Sequence, residues 1–270
     1  MPEKGKTMDQ FIKQINVSRC GKGKIEQVTD SVIEEHVLII RINGNVVFEI
    51  VCTPDQPENL AAGYLFTQKI ITDKADVAGI VFDKEALEVR ITLCEKAANR
   101  LNTIKSESKI KGSSGGLLSP ERNPVRAPSK PVDLKISCSE VLHLIRQHHE
   151  KSRLFRQTGA VHSCAICSTG NIIRFYEDIG RHNAFDKMAG DIVMNGLETT
   201  GGIITASCRL SLEIIQKIAV SGFPMVISNA APTSSGVKEA ESAGITVIGF
   251  ARDDRFNIYT HDHRVVENGS

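Results

Sequence analysis

The rhythm of its second half constrains this chain most. From Gly159 to Phe250, apolar strand-like runs alternate with amphipathic stretches of helical spacing, and the helical stretches end on glycine. AVHSCAIC and NIIRFYED lead to a helix from Arg181 to Asn195 closed by Gly196, and GIITAS leads to a helix from about Ser211 to Val220 closed by Gly222. PMVISN leads to a helix from Thr233 to Ala243 closed by Gly244, and ITVIGF reads as the final buried strand. Repeated strand, helix, strand predicts right-handed crossovers and a largely parallel sheet between helices. The expected fold class is α/β, with a three-layer C-terminal domain over 132–270 and a smaller α+β N-terminal domain over 1–131.

In the first part, VLIIRI, Asn43-Gly44 and VVFEIVC read as a hairpin, because Asn-Gly readily takes the positive φ angles of a type I′ turn. Pro57 opens a helix ending near Ile70, strands follow at about Val77 to Phe82 and Leu87 to Leu93, and a short helix runs through Asn99. Residues 105–131 carry lysines, glycines and four prolines with little apolar periodicity, and read as a long loop, either a boundary or a moving part of a site. Ser137 with Glu140 three residues on is a capping-box signature for a helix to about Lys151.

Thirty-three basic residues nearly cancel thirty-two acidic ones, so no sequence-wide field recruits nucleic acid or an anionic membrane. No apolar run approaches the roughly 18 residues of a membrane span, and MPEKGKTMDQ lacks an apolar stretch behind its charges. The expectation is a cytoplasmic protein with neither nucleic acid nor membrane as partner. Seven cysteines, an odd number in a chain this long, argue for reduced thiols rather than a disulfide framework.

Polar residues gather where a strand hands over to a helix. The first such turn holds Glu177, Asp178, Gly180, Arg181, His182 and Asn183, with Asp186 and Lys187 a turn on. The second holds Ser207, Arg209, Ser211 and Glu213, and the third Ser228, Asn229, Thr233, Ser234 and Ser235. In an open α/β sheet these turns lie at the carboxyl edge, where helix N–H groups favour phosphates. Ser, Thr and Asn there also serve as plain helix caps, and Asp178 with Arg181 as a surface ion pair. Neither a G-x-G-x-x-G nor a Walker A sequence is present.

TGAVHSCAICSTG holds the one C-x-x-C, Cys164 and Cys167. On a strand, alternation puts His162 and Cys164 on one face and Cys167 on the other. The pair has three readings: thiolate or persulfide chemistry, zinc ligation together with His162, or a buried core. A zinc deaminase needs a Glu two residues after its His, where this chain has Cys164.

These segments together resemble the formate dehydrogenase accessory sulfurtransferase family, FdhD, from about Thr29 to His261. The specific stretches are EDIGRHNAFDK and GFARDDRFNIYTH. The resemblance implies a cytidine-deaminase-like core and a cytoplasmic homodimer. It further implies transfer of sulfur from a cysteine desulfurase to Mo-bis(molybdopterin guanine dinucleotide), bound as substrate, before insertion into formate dehydrogenase. The family's cofactor-binding segment matches Phe250, Ala251, Arg252, Asp253, Asp254 and Arg255, and arginine holds phosphate in bidentate fashion. Gly180, Arg181, His182, Asn183, Lys187, Ser207, Arg209 and Thr233 are the expected contacts to the rest of that cofactor, and no metal ligand is assigned.

One departure matters. The family's persulfide-bearing cysteine lies in the loop before the α/β domain, where this chain has KGSSGGLLSP with Ser113 and Ser114. A serine cannot hold a persulfide. Sulfur is then expected on Cys164 or Cys167, with His162 beside them. The alternatives are a cofactor-binding chaperone without sulfur chemistry, and a zinc-dependent hydrolase of deaminase-like fold.

Overall fold

The computed structural model describes residues 8–107 and 134–268. It begins with an antiparallel ribbon, β1 (Ile12–Gly21) and β2 (Lys24–Ile33), turned at Lys22 and Gly23, both at positive φ. One ribbon face is amide and hydroxyl, with Gln14 donating to Ser31 at 2.9 Å and Gln27 to Ser18 at 2.8 Å. Apolar alternation, the usual sign of a strand, is therefore missing there.

The expected hairpin is β3 (His36–Ile42) and β4 (Asn45–Cys52), with Asn43 and Gly44 at φ 48° and 85°. Then come α1 (Pro57–Thr67), β5 (Val77–Asp83), β6 (Glu88–Leu93) and α2 (Glu95–Glu107). The four strands form one sheet in the order β4-β3-β6-β5. Helix α2 takes in Lys105, Ser106 and Glu107, which were expected in the 105–131 loop. The rest of that loop, Ser113 and Ser114, and the expected boundary at 131 lie outside the described residues.

The second part runs β7 (Ile136–Ser137), α3 (Cys138–Lys151), α4 (Arg153–Thr158), β8 (His162–Ser168), β9 (Asn171–Asp178) and α5 (Arg181–Asn195). It continues β10 (Ile203–Ala206), α6 (Leu212–Val220), β11 (Met225–Ser228), α7 (Ser234–Ser242), β12 (Thr246–Arg252), β13 (Arg255–Ile258) and β14 (Val265–Val266). The Ser137–Glu140 capping box is formed.

The large sheet is ordered β13-β12-β11-β10-β8-β9. Only β10, β11 and β12 pair in parallel, with β9 pointing the same way; β8 and β13 pair antiparallel to their neighbours. This corrects the expected largely parallel sheet, and ITVIGF is not the last strand. The physical reason is connection length: tight turns after Ser168 and Arg252 join antiparallel strands, whereas a parallel return needs a crossover. Helices cover both faces. Cys164, Ile204 and Val226 pack with α5, α6 and α7, while Ala165, Cys167 and Ile227 pack with α3.

The two parts meet at α1 and α5, where Gly63 and Gly190 each face the other helix's backbone. Beside them Lys217 ion-pairs with Asp186 and donates to Thr67 at 3.0 Å.

Candidate functional site

Strands β9, β10, β11 and β12 all end at one edge of the large sheet, and β8 begins there, since His162 pairs with Asp178 and Cys164 with Ala206. The three polar turns of the sequence therefore do share an edge. Backbone bonds stitch it together: Ser207 N–H to Ser163 O at 3.0 Å, Leu210 N–H to Ala231 O at 3.1 Å, and Phe250 N–H to Ala230 O at 3.1 Å.

Within that row the named residues do different things. Lys187 is fully buried and donates to Thr53 O at 2.9 Å and Glu177 O at 2.8 Å, and ion-pairs with Asp178 at 2.8 Å and with Asp55. Four acceptors surround three N–H donors, so no donor remains for a cofactor. Burial opposes its charge, but Asp178 and Asp55 outweigh burial and raise its pKa. Asn183 donates to Val51 O and to Asp178, both at 2.9 Å, and Asp178 also accepts from Thr53 N–H and Gly180 N–H. Gly180, Asn183 and Lys187 thus fasten the start of α5 to β4. The partners Val51, Thr53 and Asp55 lie well over a hundred residues away in sequence from Asn183 and Lys187, and no local pattern announces them. Thr233 caps α7, accepting from Gly236 N–H at 3.1 Å.

Other residues stay oriented to the edge. Arg209 is exposed and Arg181 partly so. His182 is 8% exposed, with neither ring nitrogen hydrogen-bonded; burial, then Lys217, Arg181 and His162, push its pKa down to about 4. His162 is half-buried and lowered by burial, then by Arg181 and Arg209, with Asp178 opposing. The site therefore holds two guanidiniums and two neutral imidazoles. Ser211 belongs to the second turn but lies outside the expected cofactor contacts; its hydroxyl is buried and unpartnered at the head of α6.

Phe250 to Arg255 form the β12–β13 turn. Phe250 and Asp253 have φ 53° and 54°, and the register shifts between Gly249 and Arg252. Positive φ in a bulky residue is strained, and such strain gathers at functional sites. Arg252 and Arg255 are directly opposite each other and exposed, whereas Ala251 is buried. Like charges placed so repel.

The thiols lie elsewhere. Cys164 and Cys167 are both 0% exposed and on opposite faces of the sheet, as strand alternation predicts. Burial raises Cys164 well above the usual thiol range and pushes Cys167 up to about 11. Cys208 is likewise pushed up to about 12. Cys167 touches Thr205 at 3.5 Å, and a buried chain runs on through His148 (2.7 Å), Ser163 (2.8 Å) and Ser207 (3.2 Å) to the edge. His148 sits at a core position of α3, so sequence reasoning passed it over. Cys167 faces away from His162 and Cys164, and among the described residues no three His, Cys, Asp or Glu side chains converge as a metal site.

Residues 33–266 match the model of the FdhD/NarQ family. The chain is 32% identical over 255 residues to the sulfur carrier protein FdhD of Bacillus subtilis, covering 93% of this chain and 97% of that protein. It is 28% identical over 258 residues to the protein of the same name from Wolinella succinogenes, covering 95% and 90%. The crystal structure of a candidate formate dehydrogenase accessory protein from Desulfotalea psychrophila shares the fold, with a TM-score of 0.76 at 21% identity over 95% of this chain and 100% of that one. With nearly a third of its residues shared along almost the whole length of a sulfur carrier protein, and with the family model spanning both parts of the fold, this chain belongs to the FdhD/NarQ family.

Proposed function

We propose that this chain is a formate dehydrogenase accessory protein and sulfur carrier. In this reading it binds Mo-bis(molybdopterin guanine dinucleotide) as substrate, passes it sulfur from a cysteine desulfurase, and delivers it to formate dehydrogenase. The names of its relatives support the carrier role, and that of the similar solved structure the accessory role. The observation that carries the binding half is the β12–β13 turn, where a strained Phe250 precedes two arginines whose mutual repulsion a phosphate relieves. A cytoplasmic homodimer with a cytidine-deaminase-like core belongs to the same proposal. No helix among the described residues is long and apolar enough to cross a membrane, and helices on both faces of the large sheet fit such a core.

Titration with GDP tests the binding half: saturable binding, weakened about ten-fold or more by Arg252→Ala, is expected, since one charge-assisted contact is worth that much. No binding of GDP overturns it. Persulfide labelling after incubation with a desulfurase tests the transfer half, with label expected on Cys164 or Cys167.

A specific observation favours a second reading, in which the protein holds and protects the cofactor without sulfur chemistry. Both thiols are enclosed and protonated, and the thiolate is the species that accepts sulfur. GDP binding without label on either cysteine selects this reading.

A further inference from the structure

Eight buried side-chain polar atoms lack a hydrogen-bond partner among the described residues, and four of them belong to one place: Arg181 Nε, both ring nitrogens of His182, and Ser211 Oγ. Buried polar atoms without partners are costly and rare, so four together at the heads of two helices call for a missing group. Those helices, α5 and α6, are also the ones of this edge that begin without a side-chain cap, whereas Thr233 caps α7. Uncapped N–H groups and the positive end of the helix favour an anion. Arg209 and His162 stand close enough to act on the same charges.

We propose that Arg181, His182, Ser211, Arg209 and His162 form a site for a tetrahedral oxyanion of the phosphate and sulfate class, separate from the Phe250–Arg255 turn, that takes up protons as it fills. This goes beyond the proposed function, because the site stands whichever cofactor the turn accepts. The proton uptake follows from the surroundings of the two imidazoles. Lys217 from α6, Arg181 and His162 face His182, with Glu213 as the acidic neighbour, and Arg181 and Arg209 face His162, with Asp178 as the acidic neighbour. Burial, with these cations adding to it, keeps both rings neutral; an anion offsets the cations, so each ring binds a proton more readily in the filled site. His182 Nε2 lies 3.6 Å from Glu213, too far for a hydrogen bond while the ring is neutral. Once charged, the ring donates to Glu213 on one side and to the anion on the other.

Sulfate is the probe of choice, since it does not titrate between pH 5 and 8. Calorimetry of the whole protein with sulfate, in buffers of different ionisation heat, is expected to show uptake of up to two protons. The affinity is expected to fall as pH rises, by at most about ten-fold per pH unit for each proton taken up. Arg209→Gln, at an exposed position that folding tolerates, and His182→Gln are each expected to weaken sulfate about ten-fold. In His182→Gln the proton uptake also drops by about one.

Several results overturn the proposal: no sulfate or phosphate binding, binding without proton uptake, or binding lost in Arg252→Ala but kept in Arg209→Gln. The last leaves GDP binding at the turn, and with it the proposed function, intact. Competition identifies the source of the oxyanion. If sulfate displaces GDP, the site holds a phosphate of the nucleotide ligand; if both bind together, it holds a free oxyanion.

Discussion

Gly63 lies directly against the carbonyl of Asp186: a methyl group on Gly63 would come within 1.7 Å of that oxygen. Gly190 stands in the same relation to Asn59, at 1.9 Å. Helices α1 and α5 thus touch backbone to backbone, and any larger side chain drives them apart. Gly63→Ala and Gly190→Ala are each expected to lose about 3 kcal/mol or more, the upper range for overpacking. Urea unfolding measures this, and a loss below about 1 kcal/mol contradicts the close contact.

Lys187 and its two aspartates form a buried cluster between the two parts of the fold. Lys187→Met leaves Asp55 and Asp178 without their cation and is expected to destabilise by about 3–5 kcal/mol. Adding Asp55→Asn recovers part of that loss, with a coupling of about 0.5–3 kcal/mol in a double-mutant cycle. Strictly additive losses contradict the cluster.

Burial, and then His149, push His148 down to about 3, far below its ordinary value of 6.5. The unfolded chain therefore binds a proton below that value and the folded protein does not. This contribution to stability is present above pH 6.5 and is lost as pH falls toward the folded value. Asp55, Asp186 and Glu177, raised by burial, work with the opposite sign. Comparison with a variant separates the two: between pH 6.5 and 5, His148→Gln is expected to lose less stability than the parent by up to about 1.4 kcal/mol per pH unit. Equal slopes mean that His148 is charged in the folded state.

Cys20 is the exposed thiol among the described residues, whereas Cys52, Cys164, Cys167 and Cys208 are buried. Brief alkylation of the native protein followed by peptide mass mapping is expected to modify Cys20 first, Cys94 and Cys138 more slowly, and the buried four only on unfolding. Early label on Cys164 or Cys167 contradicts their enclosure and favours the transfer reading over the holding one.

The sequence reading succeeded where one segment carries its own signal. Asn43-Gly44 specifies a turn, Ser137 and Glu140 a helix start, and the glycines at 196, 222 and 244 close helices with their φ between 64° and 83°. It was less complete where a residue's meaning lies far along the chain. Asp178, Asn183 and Lys187 resemble a phosphate-binding run when read alone, yet their partners Val51, Thr53 and Asp55 lie at the end of β4 and just beyond it. Strand direction was also hidden, because apolar runs look alike whichever way they point. The turn lengths after Ser168 and Arg252 held that information. The orphaned atoms of His182 and Ser211 are absences, and a sequence does not display absences.

Because Thr53 holds Asp178, and Lys187 is closed in by Asp55, the edge that carries the candidate site is not owned by the second half of the chain. The residues that make those contacts lie on either side of 108–133. Two separately made pieces, severed in that stretch, would have to find each other before either could offer a binding surface. The seam would serve as their recognition code, with a lysine from one piece entering between acids of both.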